Sequence, residues 1–221
     1  MEETNFVLLW KEHYEKIDQS LSINKRLLKE IIAQKARSAL RSLTRLKVIG
    51  ILAGVIWLLF LGSVLFYAVS HYTPAANYFL VSIFAIFVIN IKALHDYIKH
   101  LVIVNNLKYD GSVLDTQQKL TTLQLSIVQH TRIMFLQLPF WSTFYLSSKW
   151  FPQSAGWGFI VFQVLFTTAF ILIAWWLYKN IRVENLHKKW VKALVKGTGG
   201  KQVESAMKFY NEIQEFENTS S

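Results

Sequence analysis

Between Val48 and Ser70 the chain runs VIGILAGVIWLLFLGSVLFYAVS without one charged residue, and Trp157 to Tyr178 again carries none. About 20 helical residues at 1.5 Å each match the ~30 Å hydrocarbon layer of a bilayer, so each stretch is long enough to cross it. Helices of soluble proteins carry a polar face opposite the apolar one, whereas these two are apolar all round. Two weaker stretches lie between them. Tyr78 to Leu94 contains Asn90 and takes in Lys92, which must snorkel to the headgroups. Ile133 to Trp150 holds Gln137, Pro139, Ser142 and Thr143. Three prolines and nine glycines in 221 residues leave little turn chemistry for a β fold. The expected fold class is all-α: a four-span transmembrane helical bundle of up-down topology, with spans 48–70, 78–94, 133–150 and 157–178 and with helices extended into the cytosol.

Charge gives the orientation. Lys and Arg accumulate on the cytoplasmic side of short loops. Residues 1–47 carry ten of them, 92–132 five and 179–221 eight, while the connections 71–77 and 147–156 hold one, Lys149. All 14 carboxylates lie on the crowded side as well. The expectation is a multi-pass protein of a cell inner membrane with both termini cytoplasmic. The first apolar run begins at Val48, so it is expected to serve as a signal anchor rather than a cleaved leader. The sequon Asn218-Thr219-Ser220 then falls in the cytosol and is read as inert.

The helical periodicity continues outside the membrane. Residues 1–47 read as a cytosolic amphipathic region in two pieces, Phe6 to Ile17 and Leu27 to Leu43, interrupted over Ser20–Asn24. Residues 95–131 read as a cytosolic hairpin turning at Tyr109-Asp110-Gly111-Ser112, with Ser112 and Asp115 set like a capping box. Residues 179–221 read as a basic helix continuing the last span from Ile181 to Val195, then a Gly-rich turn and a short helix from Val203 to Phe216. The stripes are expected to pack on one another as a helical bundle, with docking to a protein partner or to the lipid surface as alternatives.

Three groups carry the candidate chemistry. Gly50, Gly54 and Gly62 make a small-residue ridge along the first span, suited to close helix packing within the monomer or to a homodimer seam. Gln137, Gln163, Thr167 and Asn90 form a candidate polar layer inside the membrane, read as interhelical hydrogen bonding, with a solute pathway as the sharper alternative. At the inner edge Lys92, Asp96 and His100 are spaced i, i+4, i+8 and share a helix face, and folding the hairpin about Gly111 sets His130 opposite Lys92, one turn from Asp96. A pH-sensing role for His130 follows as a hypothesis. His95, His130 and His187 lack a recognised ligand spacing, so no metal is assigned, and no cofactor is expected. The absence of cysteine removes disulfides, thiolate metal sites and a Cys nucleophile. No acidic residue lies in any expected span, which disfavours ion-coupled transport. No P-loop, G-x-S-x-G or H-E-x-x-H motif is present, so no catalytic residue is named and no enzyme is expected. KGTGGK at 196–201 lacks phosphate-loop spacing and reads as a linker. The basic excess, 24 Lys+Arg against 14 Asp+Glu, is accounted for by topology and anionic lipid, without nucleic acid.

The phrase Leu9-Trp10-Lys11, Lys16-Ile17-Asp18-Gln19-Ser20-Leu21-Ser22-Ile23-Asn24, Leu27-Leu28 and Gln34-Lys35-Ala36, together with Tyr109-Asp110-Gly111-Ser112-Val113-Leu114, resembles a group of uncharacterised multi-span membrane proteins of Bacteroidota, often encoded beside sigma-factor genes. The resemblance implies a bacterial inner membrane and a regulatory role at it, and it carries no functional residues. The expected function is a non-enzymatic membrane protein, a regulator or scaffold binding a cytosolic protein partner. The alternative is a small-solute transporter or channel component.

Overall fold

A computed structural model of the chain describes residues 2–107 and 113–218. It is helical, with no strand among the described residues. The helices are α1 (Glu2–Ser70), α2 (Asn77–Asn105), α3 (Val113–Met134), the single turn α4 (Leu138–Trp141), α5 (Trp157–Asn180), α6 (Lys189–Val195) and α7 (Lys201–Asn218). Three stretches are long and apolar enough to cross a membrane: Glu30–Ser70, Pro74–Asn105 and Trp157–Asn180. The protein is therefore a helical membrane protein.

The helix α1 is continuous, without the break expected over Ser20–Asn24. No Gly or Pro precedes Gly50, and a Ser or Asn inside a helix costs only about half a kcal/mol. Such costs are too small to stop a helix otherwise rich in Leu, Ile, Lys and Glu. What ends α1 is Pro74, which holds Thr73 in extended backbone (φ −134°, ψ 148°) and turns the chain into α2.

Segment 133–150 departs most from expectation, because it is not one helix. A 3-10 turn (Phe135–Gln137), α4 and a run of turns replace it. Pro139 has no N–H to give, and its ring crowds the carbonyl four residues earlier. The segment nevertheless runs along the first half of α2. Asn90 Nδ2 donates to Gln137 Oε1 (3.4 Å), the Ser82 and Thr143 hydroxyls pair at 2.9 Å, and Ser148 N–H donates to the Ala75 carbonyl (3.2 Å). From Asn90 to Ala75 is roughly 22 Å at the helical rise.

The basic continuation of the last span also differs. The helix α5 stops at Asn180, where Asn185 Nδ2 donates to the Asn180 carbonyl (2.8 Å), and Arg182 is extended. The turn drives Ile181 into the core with no exposed surface. That core lies apart from the uncharged runs 48–70 and 157–178. Ile32, Ala36, Leu40 and Leu43 of α1 meet Val203, Ala206, Tyr210 and Ile213 of α7, closed by Leu120, Leu123 and Ile127 of α3 and Val191 and Val195 of α6. Fully burying one such aliphatic side chain contributes about 1.5–3 kcal/mol. A second, smaller cluster, Leu61, Ile83 and Ile86 ringed by phenylalanines, joins α1 to α2 and α4. The expected turn at 109–112 and Thr219-Ser220 of the sequon fall outside the described residues.

Candidate functional site at the membrane edge

The glycine ridge packs inside the monomer. A Cβ on Gly50 would collide with the Tyr97 ring of α2, one on Gly54 would touch Leu94 at 3.6 Å, and one on Gly62 would touch Phe87 at 3.7 Å. Small residues let α1 and α2 approach, so α2 occupies this face.

The polar layer has a specific employment. Breaking the helix around Pro139 frees backbone carbonyls, which need other donors where they are buried. Gln163 of α5 is buried and donates Nε2 to the Ser142 carbonyl (2.7 Å), with Thr167 Oγ1 at 3.0 Å. The Tyr145 hydroxyl donates to Gln163 Oε1 (2.6 Å), and the Ser142 hydroxyl donates to the Pro139 carbonyl (2.7 Å). Asn90 donates to the Ile86 carbonyl (2.8 Å) and faces Gln137. The four predicted residues thus divide into two groups: Gln163 with Thr167 on the broken segment's middle, and Asn90 with Gln137 nearer the inner edge.

The inner-edge residues come together. Lys92 and Asp96 form an ion pair on α2, and His130 Nδ1 of α3 lies 3.4 Å from Asp96 Oδ2. His130 thus meets Asp96, one turn from the level opposite Lys92 that the spacing implies. The cluster takes in more than Lys92, Asp96, His100 and His130. The Lys47 side chain of α1 has no exposed surface; its Nζ donates to the Thr198 carbonyl (2.7 Å) and sits 4.0 Å from the centre of the Tyr97 ring. Tyr97 and His130 rings approach to 4.9 Å, and buried His100 pairs Nε2 with Ser126 Oγ at 3.0 Å. Thr131 and Thr198 pair their hydroxyls at 2.8 Å. His130 sits well below the ordinary histidine range, at about 4, first because burial disfavours the imidazolium and then because Lys47 repels it. The attraction of Asp96 is outweighed.

The turn KGTGG is more than a linker. Gly199 has φ +107°, and a Cβ there would strike Leu43. Only glycine takes that backbone without strain, and it brings the Thr198 carbonyl to Lys47 from 151 positions along the chain. One signal for Lys47 was readable: Ile32, Ala36, Leu40, Leu43 and Lys47 continue one helical stripe. His95 and His187 are exposed and join no cluster, and among the described residues no group of His, Cys, Asp or Glu could hold a metal ion.

On the outer side of the α1–α2 pair lies a groove of about 660 Å³, lined by Arg37, Arg41, Thr44, Leu101, Val102 and Asn105. Where α3 meets α5, Arg132 donates to the Tyr178 hydroxyl (2.9 Å), and Trp176 stacks on Trp190 at 4.9 Å. Such amphipathic rings favour the headgroup level. Compared with known proteins, the chain matches no family model, no curated protein and no solved structure.

Proposed function

We propose that this chain is a membrane-anchored regulator or scaffold without catalytic activity, which binds a protein partner through helices projecting from the membrane. In this reading segment 133–150 is a fourth, broken crossing, the topology is up-down, and both ends lie in the cytoplasm beneath a bacterial inner membrane. The strongly one-sided Lys/Arg distribution supports that orientation. The observation that carries the function is the size of the folded part apart from the uncharged runs 48–70 and 157–178: the main apolar core lies there, with a basic, apolar-floored groove on its flank. A helix with an acidic face suits Arg37 and Arg41 above Leu101 and Val102. The experiment is photocrosslinking in living cells from a reactive residue at Val102, which is exposed. One reproducible protein adduct, lost when Arg37 and Arg41 both become Glu, is expected. Adducts to lipid alone contradict the reading.

The transporter or channel alternative draws on the amides at Gln163 and Gln137. It is weakened because Gln163 is committed to the Ser142 carbonyl and to Tyr145. Solute flux in reconstituted vesicles that disappears in Gln163→Leu would favour it.

A further inference from the structure

The N-terminal part of α1 carries a second periodicity, separate from the stripe that enters the bundle core. Val7, Tyr14, Leu21 and Leu28 recur every seventh residue, and Trp10, Ile17, Asn24 and Ile31 follow each of them by three. These are the a and d positions of a coiled-coil heptad, sustained for about three and a half repeats, the length at which the pattern identifies a coiled coil. Carried past Ile31 the same spacing lands on Lys35, Ser38 and Ser42, so the seam stops where the bundle core begins. The core stripe starts at Ile32, one residue on, which is ~100° around the helix. The contacts that bury Ile32, Ala36 and Leu40 therefore lie on a different face from the seam. Where seam side chains are described they stand in the open: Ile17 is 55% exposed, Leu28 42% and Ile31 49%, and Asn24 is exposed.

We propose that residues 7–31 of α1 pair in parallel and in register with the same segment of a second copy of this chain. Copies inserted alike in one bilayer project their arms on the same side and in the same direction, so parallel alignment is built in. The flanking g and e positions suit it: Phe6 meets Lys11, His13 meets Asp18 and Ser20 meets Lys25 of the second copy, and no like charges oppose. Asn24 is the one amide in the seam. Its counterpart reaches it only in the symmetric register, whereas an unrelated apolar helix leaves it buried and unsatisfied. Gly50, Gly54 and Gly62 of the glycine ridge already meet α2. At 25 residues the paired arm would extend about 37 Å at the helical rise, holding two bundles side by side. This inference goes beyond the partner reading and stands or falls separately from it.

The chain has no cysteine, so an introduced thiol is the only one. In the full-length chain in lipid nanodiscs, Leu28→Cys under mild oxidation should form at least roughly tenfold more disulfide-linked dimer than Gln19→Cys, because facing a positions meet disulfide geometry and position f points away. The double substitution Ile17→Glu with Leu28→Glu should convert a two-copy particle mass to one copy while leaving the thermal transition of the bundle in place, since neither residue is in its core. A native chain of single-copy mass overturns the proposal. So does equal crosslinking at Leu28 and Gln19, or a two-copy mass that survives the double substitution.

Discussion

Followed from one end to the other, α1 reverses what it hides. Between Ile32 and Leu43 its aliphatic face is buried and Lys35, Arg37 and Arg41 face out. Between Val48 and Ser70 the apolar residues Leu52, Ile56, Leu59 and Phe66 face out, while Gly54, Leu61 and Gly62 meet α2. The helices α7 and α5 repeat the contrast: α7 buries Val203, Ala206, Tyr210 and Ile213, whereas α5 buries only Gln163 and Ala174. In water, removing apolar surface drives packing. In lipid that force is absent, and close backbone approach and hydrogen bonds take its place. Lys47 sits where the two regimes meet, held by a backbone carbonyl and an aromatic face.

That contrast can be broken most forcefully in the aliphatic core. Leu123→Ala, fully buried, should destabilise the bundle by about 2–5 kcal/mol, whereas Leu59→Ala on the outer face of α1 should cost under about 0.5 kcal/mol. Thermal unfolding of both variants in one detergent compares them directly, and equal losses would refute the division. Gly199→Ala should cost about 1–3 kcal/mol, because an alanine is strained at φ +107° and the turn must withdraw from Leu43. Loss of the Lys47–Thr198 contact should accompany it, and a neutral result would mean that the turn does not plug the bundle.

Acid should act through the same interface. His130 is held near 4 when folded against 6.5 when free, so the unfolded chain binds the extra proton between these values. Stability contributed by neutral His130 is complete above pH 6.5 and falls as pH drops toward 4, by about 2 kcal/mol between pH 7 and 5. Melting temperature against pH should show this slope together with that of buried His100, which burial holds at about 3, and His130→Asn should roughly halve the total. Within the lipid regime, Gln163→Leu should cost about 1–2 kcal/mol for the lost bonds to Ser142 and Tyr145. A variant of unchanged or greater stability would show that the broken segment does not need its amide.

The residues differ in how far they could be read in advance. The spans at 48–70 and 157–178 are legible because nothing but lipid suits so long an uncharged run. The pairing of His130 with Asp96 is legible because a hairpin folded about a turn has simple arithmetic. Unbroken α1 was hidden: Ser20, Ser22 and Asn24 resemble an interruption, yet their helix penalties are small. The irregular 133–150 segment was hidden because Pro139 announces a break but not its repair, which comes from Ser82 and Gln163 on other helices. Lys47 was hidden because a lysine at a membrane edge is ordinarily a snorkelling one. Only the arrival of Thr198 beside it makes burial tolerable.

The central claim is that lipid surrounds the outward-facing apolar surfaces and that the bundle, the α1 arm and α7 share one side of it. Because the chain has no cysteine, single-cysteine variants at Thr73, Ser154, Ser38 and Lys208 test this with a membrane-impermeant maleimide applied to intact spheroplasts. All four positions lie outside the uncharged runs 48–70 and 157–178. The account predicts labelling at Thr73 and Ser154 before lysis, and at Ser38 and Lys208 only after it. Labelling of Ser154 together with Ser38 would remove the broken crossing, and labelling of all four at once would contradict the account altogether.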